Sequence, residues 1–423
     1  MTASQTVHTP AALPPARPPL VTRPLLLRFA TVVGASASFF LLLSVVPLYA
    51  TASGGDAGLA TGALMLATVC GEVATARLAA RFGYRCALAG GLVLLGAPAL
   101  FVTTWGGMGW IVAVCCLRGL GFALTVVAGG ALTAALIPAE RRGEGLALVG
   151  VVSGVPSLIA LPLGVWLAGR YGCLPVSVAA GLLALAAVAA VPGIPGREPA
   201  PAVEHAAAAV SGLPQGWAAG SGKSTRRAAF ARQVRFLRTR ASRPAGGWRQ
   251  GGLVRPAAVF TVTAVGAGVV VTFLPLAVPP GSSGVVSAAL FVQPAAATAA
   301  RWFAGRLGDR HGPERLVLPG LLLSCAGLLL TAATGSTAAV LSGVAVFGAG
   351  FGVAQNATLS LMYSRVSAAG YGTVSALWNA GYDAGMGAGA VGFGALAAAA
   401  GYPAAFALTA AAMLLALRPA RRP

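Results

Sequence analysis

The chain has 423 residues, 57% of them hydrophobic and only 9% charged, with a formal net charge of +20 at pH 7. A mean hydropathy of +0.81 leaves too little polar surface for a water-soluble protein, which excludes a soluble enzyme or a nucleic-acid-binding domain despite the basic charge. The six cysteines lack ligand-like spacing and read as structural thiols, with no metal and no cofactor implied.

Residues 1–22 are rich in Pro and Ala and lack an apolar core, so they read as a disordered cytoplasmic segment, not a cleavable signal. The first apolar span is then the targeting signal. Apolar runs of roughly 20 residues, each able to cross a hydrocarbon core of about 30 Å at 1.5 Å per residue, recur along the rest of the chain. In residues 23–193 they are Phe29 to Tyr49, Gly58 to Ala79, Cys86 to Trp105, Trp110 to Ile137, Gly145 to Leu167 and Cys173 to Val191.

Residues 194–255 form a basic cytoplasmic linker with Arg226, Arg227, Arg232, Arg235, Arg238 and Arg240, a composition suited to anionic lipid headgroups at the bilayer surface more than to nucleic acid. Within it Gly220-Ser221-Gly222-Lys223-Ser224-Thr225 imitates the end of a phosphate-binding loop. Trp217 stands where that loop needs a glycine, and no apolar strand precedes it, so nucleotide binding is not expected. Residues 256–417 supply six more spans: Ala257 to Val278, Val285 to Phe303, Leu316 to Thr334, Ala338 to Met362, Gly372 to Ala397 and Pro403 to Leu417, before a tail at 418–423. Continuous rather than alternating apolar runs exclude a β-barrel. The fold class is therefore an all-α membrane protein of 12 transmembrane helices in two pseudo-symmetric six-helix halves.

Arginines mark one face. Arg17, Arg23, Arg28, Arg77, Arg81, Arg85, Arg141, Arg142, Arg301, Arg306, Arg310, Arg315, Arg365 and Arg418 flank the same ends of successive spans, whereas the loops of the other face carry only Arg170. The positive-inside rule places both termini in the cytoplasm.

The segment Ala76-Arg77-Leu78-Ala79-Ala80-Arg81-Phe82-Gly83-Tyr84-Arg85 aligns, position by position as far as Gly83 and Gly312, with Gly305-Arg306-Leu307-Gly308-Asp309-Arg310-His311-Gly312-Pro313-Glu314-Arg315 at the corresponding turn of the second half. Here the chain resembles the major facilitator superfamily, whose loop signature reads approximately Gly-x-Leu-x-Asp-Arg-x-Gly-x-Arg. The second copy is nearly complete through Gly305, Asp309, Arg310 and Gly312; the first retains Arg81, Gly83 and Arg85 but has Ala76 and Ala80 in place of the glycine and the aspartate. In the family that acid helps lock the two halves near helix eleven. Arg118-Gly119-Leu120-Gly121 looks like the family's intramembrane arginine motif. Gly150, Gly154, Pro156, Pro162 and Gly164 in span five are similar to the glycine and proline motif of bacterial drug–proton antiporters, with Val155 interrupting the usual Gly-Pro pair.

Glu72, Arg118 and Asp383 stand inside spans, where an ionised side chain costs about 2.5 to 3.5 kcal/mol on insertion scales, so each must be paired, neutralised or hydrated. Counting residues from the span ends puts them roughly 13, 17 and 18 Å above the cytoplasmic edge, near the midplane where repeat transporters place substrate and coupling-ion sites. Asp383 is the first candidate for reversible protonation, the alternative being a permanent interhelix ion pair with Arg118. Glu72 either neutralises Arg118 or relays a proton. Ser375, Asn379 and Asp383 form a polar stripe at intervals of four, flanked by Trp378 and Tyr382. Gln293, Gln355 and Asn356 either line a substrate cavity or join helices as polar glue.

The resemblance implies a secondary active transporter working by alternating access, with a proton-coupled antiporter exporting drug-like or natural-product compounds as the leading expectation. Proton-coupled uptake of a small nutrient or metabolite is the alternative, and a non-transporting membrane sensor or scaffold a lesser one. The expected partners are a small-molecule substrate, protons and lipid; the expected state is a monomer in a bacterial inner (plasma) membrane. His8, His205 and His311 are the only histidines and none lies inside a span, so no enzyme site is expected.

Overall fold

The computed structural model describes residues 21–137, 142–196, 251–279, 281–366 and 371–421. The linker arginines and the Gly220–Thr225 segment lie outside the described residues. We number the helices α1 (Arg23–Leu43), α2 (Val45–Ala52), α3 (Ala57–Leu100), α4 (Met108–Leu136), α5 (Arg142–Tyr171), α6 (Cys173–Ala187), α7 (Gly251–Ala277), α8 (Ser283–His311), α9 (Glu314–Thr331), α10 (Thr337–Ser364), α11 (Tyr371–Met413) and α12 (Leu417–Arg421). Helices prevail because hydrocarbon offers a backbone N–H or C=O no partner, so each segment must close its own hydrogen bonds.

Eleven helical stretches among the described residues are long and apolar enough to cross a membrane. The last of them, Thr373–Arg421, is broken at Gly401, so its two limbs make separate crossings and bring the total to twelve. Helices α1 and α2 form one crossing interrupted at Ser44. An even number of crossings brings Arg23 and Arg418 to the same end of the bundle, here called the basic end.

The structure refines several boundaries. The predicted second and third spans are one helix, α3, whose only non-helical residue is Gly83 (φ 82°). No loop separates them; a left-handed backbone at a residue without a Cβ turns the chain in a single step. The predicted eleventh and twelfth spans join in the same way at Gly401 (φ 78°). Helix α7 begins at Gly251, so Arg255 belongs to its first turns and not to the linker.

The repeat extends to individual packing contacts. Gly83 and Gly312, Gly172 and Gly401 all have positive φ, and the interval within each pair is the same. At that interval Gly119 of α4 packs on the Leu64 carbonyl of α3, as Gly348 of α10 packs on the Gln293 carbonyl of α8. Likewise Gly121 sits against Leu95 N and Gly91 O, and Gly350 against Ser324 N and Gly320 O. Lipid tails give helices no hydrophobic reason to associate, so close backbone approach at small residues supplies the attraction. This accounts for much of the chain's use of 58 glycines.

Candidate functional site

At the end away from the basic residues the two halves are closed against each other. Pro275 has no N–H for the carbonyl four residues earlier, Val271, and Ser44 of the other half fills the vacancy by donating from Oγ to that oxygen at 2.7 Å. Thr272 Oγ1 donates to Thr61 Oγ1 at 3.0 Å nearby. Gly58 and Gly62 of α3 lie on the Ala390 carbonyl and the Val391 side chain of α11, and Asp56, whose carboxylate caps α3 by accepting from Leu59 N at 2.6 Å, lies beside Gly394. Both side-chain hydrogen bonds, Ser44 to Val271 and Thr272 to Thr61, cross between the halves at this end.

Beneath this closure α3 and α11 run side by side, with the Gly387 Cα facing Met65. One turn further toward the basic end stands Asp383, 7% exposed; Glu72 follows on α3. The two carboxylates belong to opposite halves, on helices that pack together. Glu72 Oε2 is buried and has no hydrogen-bond partner, and neither carboxylate has an ion pair among the described residues.

Arg118 is not their counter-ion, contrary to the expectation from depth alone. It is 0% exposed, its Nη2 donates to the Ser38 carbonyl of α1 at 3.1 Å, and its Nε has no partner. Depth was shared, direction was not: Gly119 beside it presses α4 onto α3, which turns the guanidinium inward to α1 and away from the space between the halves.

Two arginines grouped with the span ends lie within helices and bond to neighbouring helices. Arg28 of α1 is 4% exposed and donates to Gly129 O (3.1 Å), Thr133 Oγ1 (3.2 Å), Thr31 Oγ1 (2.7 Å) and Thr125 O (3.4 Å), stapling α1 to α4. Arg301 of α8 donates from Nη2 to Gln355 Oε1 of α10 at 2.7 Å. A signal for Arg301 was present in the sequence. It precedes Gly312 by as many residues as Glu72 precedes Gly83, so the two occupy one register position of the repeat.

The remaining candidates divide by location. Trp378 stacks on Phe260 (4.2 Å, 8°), and Tyr382 lies over Phe260 (6.0 Å, 14°) and against Phe351 (6.1 Å, 36°), forming an aromatic wall in the second half. Trp378 Nε1 donates to Thr358 Oγ1 at 3.3 Å, and Ser375 pairs with Tyr363 OH at 2.6 Å, which leaves Asn379 and Asp383 as the open part of the stripe. Gln355 is 9% exposed and Gln293 is buried; Asn356 is half-buried beside Gly305. In α5, Gly164 packs on the Leu41 carbonyl, whereas a Cβ on Gly154 would meet nothing within 4 Å. Pro156 and Pro162 are inside the helix, and the surroundings of Gly150 lie outside the described residues. At the basic end Arg85 Nε donates to the Ile194 carbonyl of its own half, Arg81 stacks over Phe82 and Arg306 over Trp302, and Asp309 and Arg310 are exposed.

All six cysteines are free, and no group of His, Cys, Asp and Glu among the described residues could hold a metal ion.

The sequence profile of the Major Facilitator Superfamily matches residues 28–390. No curated protein matches the chain. Solved structures of similar fold include a peptide transporter POT in complex with sulfate, with 17% identity, a TM-score of 0.69 and coverage of 94% of this chain and 93% of that one. A point mutant of POT gives 16%, 0.68, 94% and 93%, and a POT family transporter in complex with a thioalcohol conjugated peptide gives 11%, 0.66, 93% and 94%. Twelve crossings in two repeated halves, closed at one end over a pair of intramembrane carboxylates, and a family match over most of the chain lead to one conclusion: this protein belongs to the Major Facilitator Superfamily of membrane transporters.

Proposed function

We propose that the protein is a proton-coupled exporter of drug-like or natural-product molecules, seated in a plasma membrane with its basic end in the cytoplasm. The halves rock about the midplane, and the contacts described above close the end away from the cytoplasm. The observation that carries this reading is the pair Glu72 and Asp383, two intramembrane carboxylates on opposite halves with no counter-ion. Two such groups repel when both are charged, and a proton on either removes the repulsion. Protonation is thereby linked to how closely α3 and α11 approach, which is the coordinate that alternating access moves.

Asp383 carries the proton in this scheme and Glu72 is its partner. Arg118 holds the first half together from within. Trp378 and Tyr382, half-buried and backed by the buried rings of Phe260 and Phe351, offer flat apolar surface to a planar substrate and favour export of such compounds. Proton-coupled uptake of a small nutrient or metabolite is the second reading; solved structures of similar fold include peptide transporters, and the carboxylate pair would serve either direction.

The test is growth of an efflux-deficient host on a panel of toxic small molecules, with wild type and Asp383→Asn at equal membrane levels. Resistance that disappears in the mutant supports the proposal. Undiminished resistance in the mutant removes Asp383 from coupling, and proton-driven accumulation of a nutrient by wild type in place of resistance selects the second reading.

A further inference from the structure

The repeat places unlike chemistry at equivalent positions. Asp383 precedes Gly401 by the same number of residues as Gly154 precedes Gly172, so Gly154 of α5 is its counterpart, as Arg301 is the counterpart of Glu72. The α3–α11 boundary thus carries two carboxylates. The symmetry-related positions on α8 and α5 are Arg301 and Gly154, and a Cβ added at Gly154 would meet nothing within 4 Å.

Arg301 differs from the other intramembrane arginines. Arg28 spends its donors on four oxygens, and Arg118 is sealed at 0% exposure. Arg301 is exposed and gives a single hydrogen bond among the described residues, to Gln355. A guanidinium has five N–H donors in a planar fork matched to a carboxylate. Held by one neutral amide, and aligned with no acid, it keeps the rest of that fork free for a ligand. Intramembrane charges left in this state mark ligand paths.

We propose that Arg301, positioned by Gln355, binds a carboxylate of the transported molecule in the cleft beside Gly154, so that the substrates are aromatic or apolar acids. This rests on the transporter reading only in taking the space between the halves as the substrate's path.

The experiment uses full-length protein in lipid nanodiscs without a proton gradient and compares the affinities of 2-naphthoate and 2-naphthamide, which differ in the anionic group alone. Wild type should bind the acid at least about tenfold more tightly than the amide. Arg301→Gln should bring the ratio near one, and Arg301→Lys should retain part of it. Gly154→Glu supplies a carboxylate from the protein itself and should abolish the preference while the unliganded melting temperature stays near wild type, which keeps the test informative if Arg301→Gln folds poorly. A wild type without the preference, or a preference that survives both Arg301→Gln and Gly154→Glu, overturns the proposal. Because no gradient is present, failure of Asp383 to carry a proton would leave this result untouched.

Discussion

Ser44 hydrogen-bonds the one carbonyl of α7, that of Val271, which Pro275 deprives of its helical partner. The bond joins the two halves and exists only while that end is closed. Ser44→Ala leaves a buried carbonyl unsatisfied, at a cost of about 1 kcal/mol in this setting. The closed population should fall by roughly fivefold relative to the open one. Cys173 lines the cleft at that end with Pro275 and Ser283; with the other cysteines replaced by alanine, its labelling by a membrane-impermeant maleimide should accelerate to match. Unchanged labelling would show that the bond does not hold the closure.

Glu72 and Asp383 should not behave independently. If the two carboxylates act on each other, neutralising one removes the repulsion and neutralising the second adds little. Melting temperatures of Glu72→Gln, Asp383→Asn and the double variant should depart from additivity by more than about 0.5 kcal/mol. Strict additivity would separate the two residues.

Glycine substitutions should sort by which boundary they occupy. Gly385 lies on the Thr261 carbonyl and Gly389 on that of Val265, within the second half. Gly385→Leu and Gly389→Leu should reduce folded protein sharply, since backbone cannot yield to a new side chain. Gly58→Leu meets the Ala390 carbonyl of the opposite half, and should fold but fail to close, giving normal yield in detergent with transport lost. Equal yields from all three would contradict this division.

Arg28→Lys keeps the charge but reaches fewer of the four oxygens that now bind the guanidinium. Loss of two such bonds should destabilise the first half by about 2 kcal/mol, read as a lower melting temperature. A value equal to wild type would mean that α1 and α4 are held by packing alone.

Much of this architecture is legible in the linear chain. Length and apolarity of the runs give the twelve crossings, and the aligned segments ending at Gly83 and Gly312 give the two halves. Counting residues also set Glu72, Arg118 and Asp383 at similar depth. What it did not give was azimuth, because a helix with apolar residues on every side has no periodicity to show which face meets which neighbour. Arg118 consequently appeared as a partner for Asp383 when it turns to Ser38. Arg301 was hidden for a different reason: it follows an apolar run and precedes other arginines, so charge counting grouped it with the headgroup side. Only comparison of one half with the other separates it from them.

A cavity lying on a pseudo-twofold axis would offer a guest two equivalent seats, related by a half turn about the membrane normal. Placing Glu72 and Asp383 on one side and Arg301 on the other breaks that degeneracy, since the same half turn would carry an acidic group from the guanidinium to the carboxylates. A duplicated scaffold thereby acquires a compass, and each molecule that enters has a single heading.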